Sequence, residues 1–139
     1  MVVPYTTHQM YDLINDVKSY PEFLPGCHKA IVHSHTEDEM RASISVAKGH
    51  FSYSFTSINR LQRNKIIEMR LLKGPFKHLE GYWRFDTLSG KEKGSKVSID
   101  LEFEFSNLLL DLTFRPVLNK ITKILVDAFY NRARKLYGS

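Results

Sequence analysis

Five successive stretches of this chain alternate apolar and polar residues with a period of two, and its final stretch switches to the period of a helix. Met40, Ala42, Ile44 and Val46 are interleaved with Arg41, Ser43 and Ser45, and Phe51, Tyr53 and Phe55 with Ser52, Ser54 and Thr56. Ile67, Met69 and Leu71 flank Glu68 and Arg70, while Leu79, Gly81, Trp83 and Phe85 alternate with Glu80, Tyr82 and Arg84. The pattern is cleanest over 97–105, where Val97, Ile99, Leu101, Phe103 and Phe105 are separated by Ser98, Asp100, Glu102 and Glu104. Residues two apart share a face of a strand, so each run predicts a strand with one covered and one wetted face. The short gaps predict antiparallel hairpins. Lys73-Gly74-Pro75-Phe76 reads as a stiff turn, and the turn-rich segment 89–96 as a hairpin loop.

At the front, Thr6 or Thr7 can cap a helix that carries Met10, Leu13, Ile14 and Val17 at helical spacing. Pro21 and Pro25 end it and leave a short turn or helix over 18–24. At the other end, Val117, Ile121, Ile124 and Ala128 form one stripe, widened by Leu118, Leu125, Phe129 and Leu136. Pro116 is expected to kink or restart this helix after 108–114. The helical stripe and the sheet face must be buried against each other. The economical solution lays the closing helix across the concave side of a curved antiparallel sheet, an α+β helix-grip arrangement with two short helices near the N-terminus.

With 139 residues, 42% hydrophobic and 25% charged, the chain is sized and composed as a single domain over 1–139. Cys27 stands alone, which excludes a disulfide framework and fits a reducing, cytoplasmic setting. No apolar run approaches the roughly 20 residues that span a bilayer, and the opening MVVPYTTHQ lacks the pattern of a signal peptide. The net charge of +5 favours anionic partners, nucleic acid or a membrane surface.

The chemistry-bearing residues mostly have bland readings. His33 and His35 share a face if they lie on a strand, with Cys27-His28 just before, but no third ligand is fixed by spacing and no metal site is expected. Asp100, Glu102 and Glu104 fall on the wetted face, with Arg84 and Arg41 as cross-strand partners. The chain carries no G-x-S-x-G elbow and no phosphate loop, so it reads as no enzyme. Lys120, Lys123, Asp127 and Arg134 share the polar face of the last helix, whereas Arg132 lies over the apolar stripe and can snorkel to solvent or offer a cation to a ligand's polar head.

A curved sheet closed by one helix often encloses a cavity suited to an apolar ligand. Strand parity assigns its sheet wall to Met69, Leu71, Trp83, Phe85, Leu101 and Phe103, and helical spacing assigns its closing wall to Ile121, Leu125 and Phe129. Tyr20, Pro21, Phe23, Leu24 and Pro25 are expected to form the mouth.

Three ordered motifs sharpen this reading. The segment 16–27, DVKSYPEFLPGC, resembles the D-V-x-x-Y-P-x-F-L-P-x-C signature of the coenzyme Q-binding START-domain family. Gly74-Pro75-Phe76-Lys77-x-Leu79 followed by Trp83-x-Phe85 resembles the family's second signature, and Ala128-Phe129-x-x-Arg132-Ala133 its third. The resemblance implies the START helix-grip fold. It also implies two functions: binding of ubiquinone-type polyprenyl lipid in support of respiration, with no cofactor required, or binding of the large ribosomal subunit to block its joining to the small one. The first brings peripheral contact with the inner membrane. The second brings a small antitoxin partner, and Lys120, Lys123 and Arg134 would be the ribosome contacts. Family chains carry a full strand before Val3-Pro4-Tyr5, where this chain has Met1 and Val2, so a truncated first strand is expected.

Overall fold

The computed structural model describes residues 1–89 and 94–138. Strand β1 (Val2–Val3) is followed by α1 (Thr7–Asn15), a 3₁₀ helix (Val17–Glu22), and the strands β2 (Cys27–His35), β3 (Glu39–Lys48), β4 (Phe51–Gln62), β5 (Ile66–Lys73), β6 (Phe76–Thr87) and β7 (Ser95–Phe105). Helices α2 (Leu108–Leu118) and α3 (Ile121–Tyr137) close the chain. The seven strands form one antiparallel sheet in the order β1-β7-β6-β5-β4-β3-β2. Strands β2 to β7 thus follow one another as a meander, and β1 pairs with β7 through Val2–Lys96 and Val3–Ser95. The sheet curves around the helices, the helix-grip arrangement expected from the alternation. Residues 90–93 of the β6–β7 hairpin loop lie outside the described residues, although Thr87 pairs with Ser95 across its base.

Local chemistry sets the element ends. Thr6 caps α1 by accepting from the Gln9 backbone N–H at 3.1 Å while the Gln9 side chain accepts from the Thr6 N–H at 2.9 Å, a reciprocal capping box. Asn107 caps α2, its Oδ1 accepting from Leu109 N at 2.8 Å and Leu110 N at 3.2 Å. Pro116 lies inside α2, and the break expected there falls later, at Asn119–Lys120. Proline loses only its own N–H and disturbs the turn before it, so the residues after it complete another helical turn.

Strand β2 is the element that period-two alternation does not mark. It is an edge strand whose pairing with β3 slips between Cys27 and Lys29 and again between Val32 and Ser34. A bulge inserts a residue and reverses the parity beyond it, which erases the alternation.

Two apolar clusters fill the space between sheet and helices. The first joins α1, the 3₁₀ helix and α3 to one end of the sheet through Met10, Ile14, Tyr20, Trp83, Phe85 and Phe129. The second joins α2 to the other end through Phe76, Leu79, Phe105 and Phe114, with Tyr53, Phe55 and Phe103 packed around them.

Candidate functional site

Between these clusters the inward faces of β3 to β7 set side chains in rows across the sheet. One row runs Met40–Asn59–Met69–Gly81–Leu101, and beside it Ala42 pairs with Ser57 and Ser57 with Leu71. Met69, Leu71, Leu101 and Phe103 are only half-buried here, as are Ile121 and Leu125 on α3. At Gly81 the missing side chain lets Met69 and Leu101 close over the backbone: a Cβ there would stand 2.9 Å from Met69 Cε and 3.4 Å from Leu101 Cδ1. Trp83, Phe85 and Phe129, assigned to the same wall by parity, instead pack into solid core. Phe129 is 1% exposed and meets the rings of Tyr20, Phe23 and Trp83 edge-on, each with centroids 5.4 Å away. Phe85 packs against Tyr11 at 5.7 Å. The expected lining therefore divides, part of it forming a half-buried apolar strip and part the core beneath α3.

Two polar members of this face are absent from the wall assigned by parity. The inward series of Tyr53 and Phe55 continues through Ser57 and Asn59, both buried, and Ser57 Oγ donates to Asn59 Oδ1 at 3.0 Å. Their signal was present, since they break an otherwise apolar inward series before Leu61. Tyr53 is held neutral, its hydroxyl pKa pushed up to about 12 by burial.

Where the 3₁₀ helix meets α3, a lateral cleft of about 420 Å³ opens. Its apolar surface comes from Phe23, Pro25, Ile124 and Ala128, and its polar rim from Glu22, Asp127, Asn131, Arg132 and Lys135. Five of its nine lining residues are polar or charged, so it is an open surface groove rather than an apolar ligand pocket. Arg132 spans the cleft, donating from Nη2 to Glu22 Oε2 at 2.9 Å and lying 5.0 Å above the Phe23 ring. Its side chain is 14% exposed, so it neither snorkels fully nor stands free. Of the remaining mouth residues, Tyr20 is buried, its hydroxyl donating to the Ile14 carbonyl and its pKa driven up by desolvation. Pro21 is exposed inside the 3₁₀ helix, and Leu24 packs on the first cluster. Arg132, Phe23, Phe129 and Trp83 form a continuous chain of contacts from the rim of the cleft to the sheet.

The α3 cations differ among themselves. Lys123 donates to Asp127 at 2.9 Å, Arg134 lies 5.9 Å from the Tyr130 ring, and Lys120 is exposed at the N-terminal end. On the outer face, the carboxylate row pairs with partners other than those expected. Glu104 meets Lys77 at 3.7 Å and Glu102 meets His78 at 3.3 Å, whereas Arg41 pairs with Glu39 and Arg84 lies over Tyr82. The register explains it, because Glu102 and Glu104 stand opposite Glu80 and His78 on β6, next to Lys77, while Arg84 stands opposite Ser98. His78, Glu80 and Glu102 bring possible ligand atoms within 4.8 Å of one another. The Arg70 guanidinium, 3.6 Å from Glu80, already places a positive charge there. His33 Nε2 sits 2.6 Å from Ser43 Oγ. The Cys27 thiol is buried and its pKa raised by desolvation, which keeps it protonated and inert.

Comparisons with known proteins agree with this architecture. The model of the family described as polyketide cyclase / dehydrase and lipid transport matches residues 3–130. The ribosome association toxin RatA of Pseudomonas aeruginosa is 43% identical over 137 residues, covering 99% of this chain and 94% of that protein. RatA of Escherichia coli K12 is 41% identical over 138 residues, covering 99% and 86%. More distantly, the mitochondrial coenzyme Q-binding protein COQ10 homolog B of Xenopus laevis is 29% identical over 139 residues, covering 99% and 57%. Among solved structures, a START superfamily protein from Mycobacterium smegmatis superposes with a TM-score of 0.80 at 15% identity, covering 98% of this chain and 94% of that one. The Zhui aromatase/cyclase from Streptomyces sp. R1128 superposes with a TM-score of 0.77 at 16% identity, covering 98% and 92%. No helix among the described residues is long and apolar enough to cross a membrane. With residues 3–130 matched by the family model and relatives 41–43% identical across 99% of its length, the chain belongs to the START-like polyketide cyclase / dehydrase and lipid transport family.

Proposed function

We propose that this protein binds an amphiphilic lipid of the polyprenyl quinone class without transforming it, and so supports respiration. The observation that carries this reading is the half-buried apolar strip of Met69, Leu71, Leu101 and Phe103, bordered by the buried pair Ser57–Asn59. Such a surface suits an isoprenoid chain, and the Asn59 amide supplies a donor for a ring carbonyl in a site where an unmet hydrogen bond is costly. Support also comes from the coenzyme Q-binding name of the Xenopus relative and the lipid-transport description of the family.

The test is native mass spectrometry and lipid extraction of protein purified from its own host, followed by quinone titration. A bound polyprenyl quinone is expected, with Gly81→Val and Asn59→Leu each losing it. Ligand-free protein that takes up no quinone overturns the reading.

A second reading follows from the 41–43% identity to ribosome association toxins: association with the large ribosomal subunit, under the control of a small antitoxin. Lys120 and Arg134 would then meet phosphate, with Lys123 contributing less because Asp127 already neutralises it. Reversing the three cations to Glu should weaken co-sedimentation with the subunit and lower the salt slope by roughly 0.7 to 0.9 for each phosphate no longer neutralised. Co-sedimentation that is unchanged across a salt series removes this reading from the α3 face.

A further inference from the structure

Helix α2 is apolar on both sides. Leu110, Phe114 and Leu118 face inward and belong to the second cluster. Leu108, Leu112 and Pro116, spaced by four, face outward with Leu109 beside them. Leu108 is 74% exposed, Leu112 66% and Leu109 56%, an unusual outer face for a helix that already has a buried one.

The polar side chains of α2 are satisfied within the protein. The Thr113 hydroxyl donates to the Leu109 carbonyl at 2.8 Å, Asp111 is held by Arg115 at 2.6 Å, and Asn107 takes the first free N–H groups. The side chains of α2 therefore bring few unpaired polar groups to its outer face, where Pro116 leaves the Leu112 carbonyl without an i+4 donor.

Two turns extend the face. Lys48 Nζ reaches the Thr113 carbonyl at 3.4 Å, which brings in the β3–β4 turn with its exposed Phe51. Ser106 N–H bonds the Pro75 carbonyl at 2.9 Å, which holds the β5–β6 turn, with exposed Leu72 and Lys73, close to the start of α2. Exposed leucines and a phenylalanine are thus interspersed with lysines, while the neighbouring acids Asp111 and Glu104 are paired with Arg115 and Lys77.

We propose that the outer face of α2, together with the β3–β4 and β5–β6 turns, docks on an anionic lipid bilayer. Leucines enter the boundary between headgroups and acyl chains, and Lys48 and Lys73 meet the headgroup phosphates. The charge pattern selects this occupant. In a two-fold dimer the patch packs on a copy of itself, so its lysines meet apolar or like-charged side chains and gain no counter-charge. Docking of this kind is independent of which ligand occupies the apolar strip.

Flotation of the full chain with vesicles of phosphatidylcholine and phosphatidylglycerol, against phosphatidylcholine alone, tests it. Binding is expected to the anionic vesicles and to weaken with salt. Each leucine withdrawn is expected to cost roughly tenfold in partitioning, so Leu108→Ser with Leu112→Ser loses on the order of a hundredfold. Lys48→Glu with Lys73→Glu is expected to lose at least about fivefold per residue and to abolish the preference for phosphatidylglycerol. All four side chains are exposed, so thermal melting should not move, and a variant that does melt early is replaced by Leu112→Gln alone. Quinone retention measured without vesicles reports separately on the strip. Vesicle binding that is absent, or unaffected by the leucine pair, overturns the proposal. So does a self-associating wild type that the same pair renders monomeric without loss of vesicle binding.

Discussion

Replacing Phe129 by Ala tests whether the ring under α3 is core or the lining of an open cavity. Its side chain is 1% exposed and touches three aromatic rings edge-on at 5.4 Å. Removing a buried phenylalanine costs about 3–5 kcal/mol when the surroundings cannot collapse. Tyr20, which would have to move inward, is held by its hydroxyl on the Ile14 carbonyl, so little relaxation is available and the upper half of that range is expected. For a chain of this length about 4 kcal/mol corresponds to a fall of roughly 10–15 °C in Tm. Phe129→Leu keeps most of the volume and should cost about 1–2 kcal/mol. Urea unfolding followed by Trp83 emission reads both, because Trp83 is the sole tryptophan and its ring packs directly on Phe129. If Phe129→Ala costs less than about 1.5 kcal/mol and matches the Leu variant, the ring borders open space and the solid-core description fails.

Arg132→Gln and Glu22→Gln, combined in a double-mutant cycle by urea unfolding, should give a coupling of about 0.5–1 kcal/mol, because Glu22 is largely exposed. A coupling of zero would mean that Arg132 acts through Phe23 and stem packing alone. Gly74→Ala is expected to destabilise by about 1–3 kcal/mol, since φ is 152° and a Cβ would stand 2.7 Å from Phe55 Cβ. A neutral result by thermal melting would contradict that crowding. Tyr53 has its pKa raised to about 12, so between roughly pH 10 and 12 the unfolded chain releases a proton that the folded one keeps. Stability present below pH 10 should therefore fall as pH rises through this window. Tyr53→Phe should flatten the fall in urea midpoints, leaving the part due to Tyr20, which is shifted in the same direction. Identical pH profiles for the two proteins would refute the assignment.

Period-two alternation determined β3 to β7 and their apolar inward residues, because the register slips at Thr56–Ser57 and Phe76–His78 leave each apolar run intact. Helical spacing and a capping threonine determined α1, and the three motifs carried the family. Edge strand β2 escaped because its bulges reset the parity on which alternation depends. The closing stripe was legible, but not the position of its break, since Pro116 restrains residues before it more than those after. Tertiary structure alone decided which inward residues touch. Trp83 and Leu101 share one face of the sheet, yet Phe129 fills the space over the first and leaves the second half-buried. Arg132 likewise met Glu22 across 110 residues, a pairing set by how the 3₁₀ helix docks on α3. The outward leucines of α2 were visible as letters but not as a surface, because a helix apolar all round does not reveal which side the core will take.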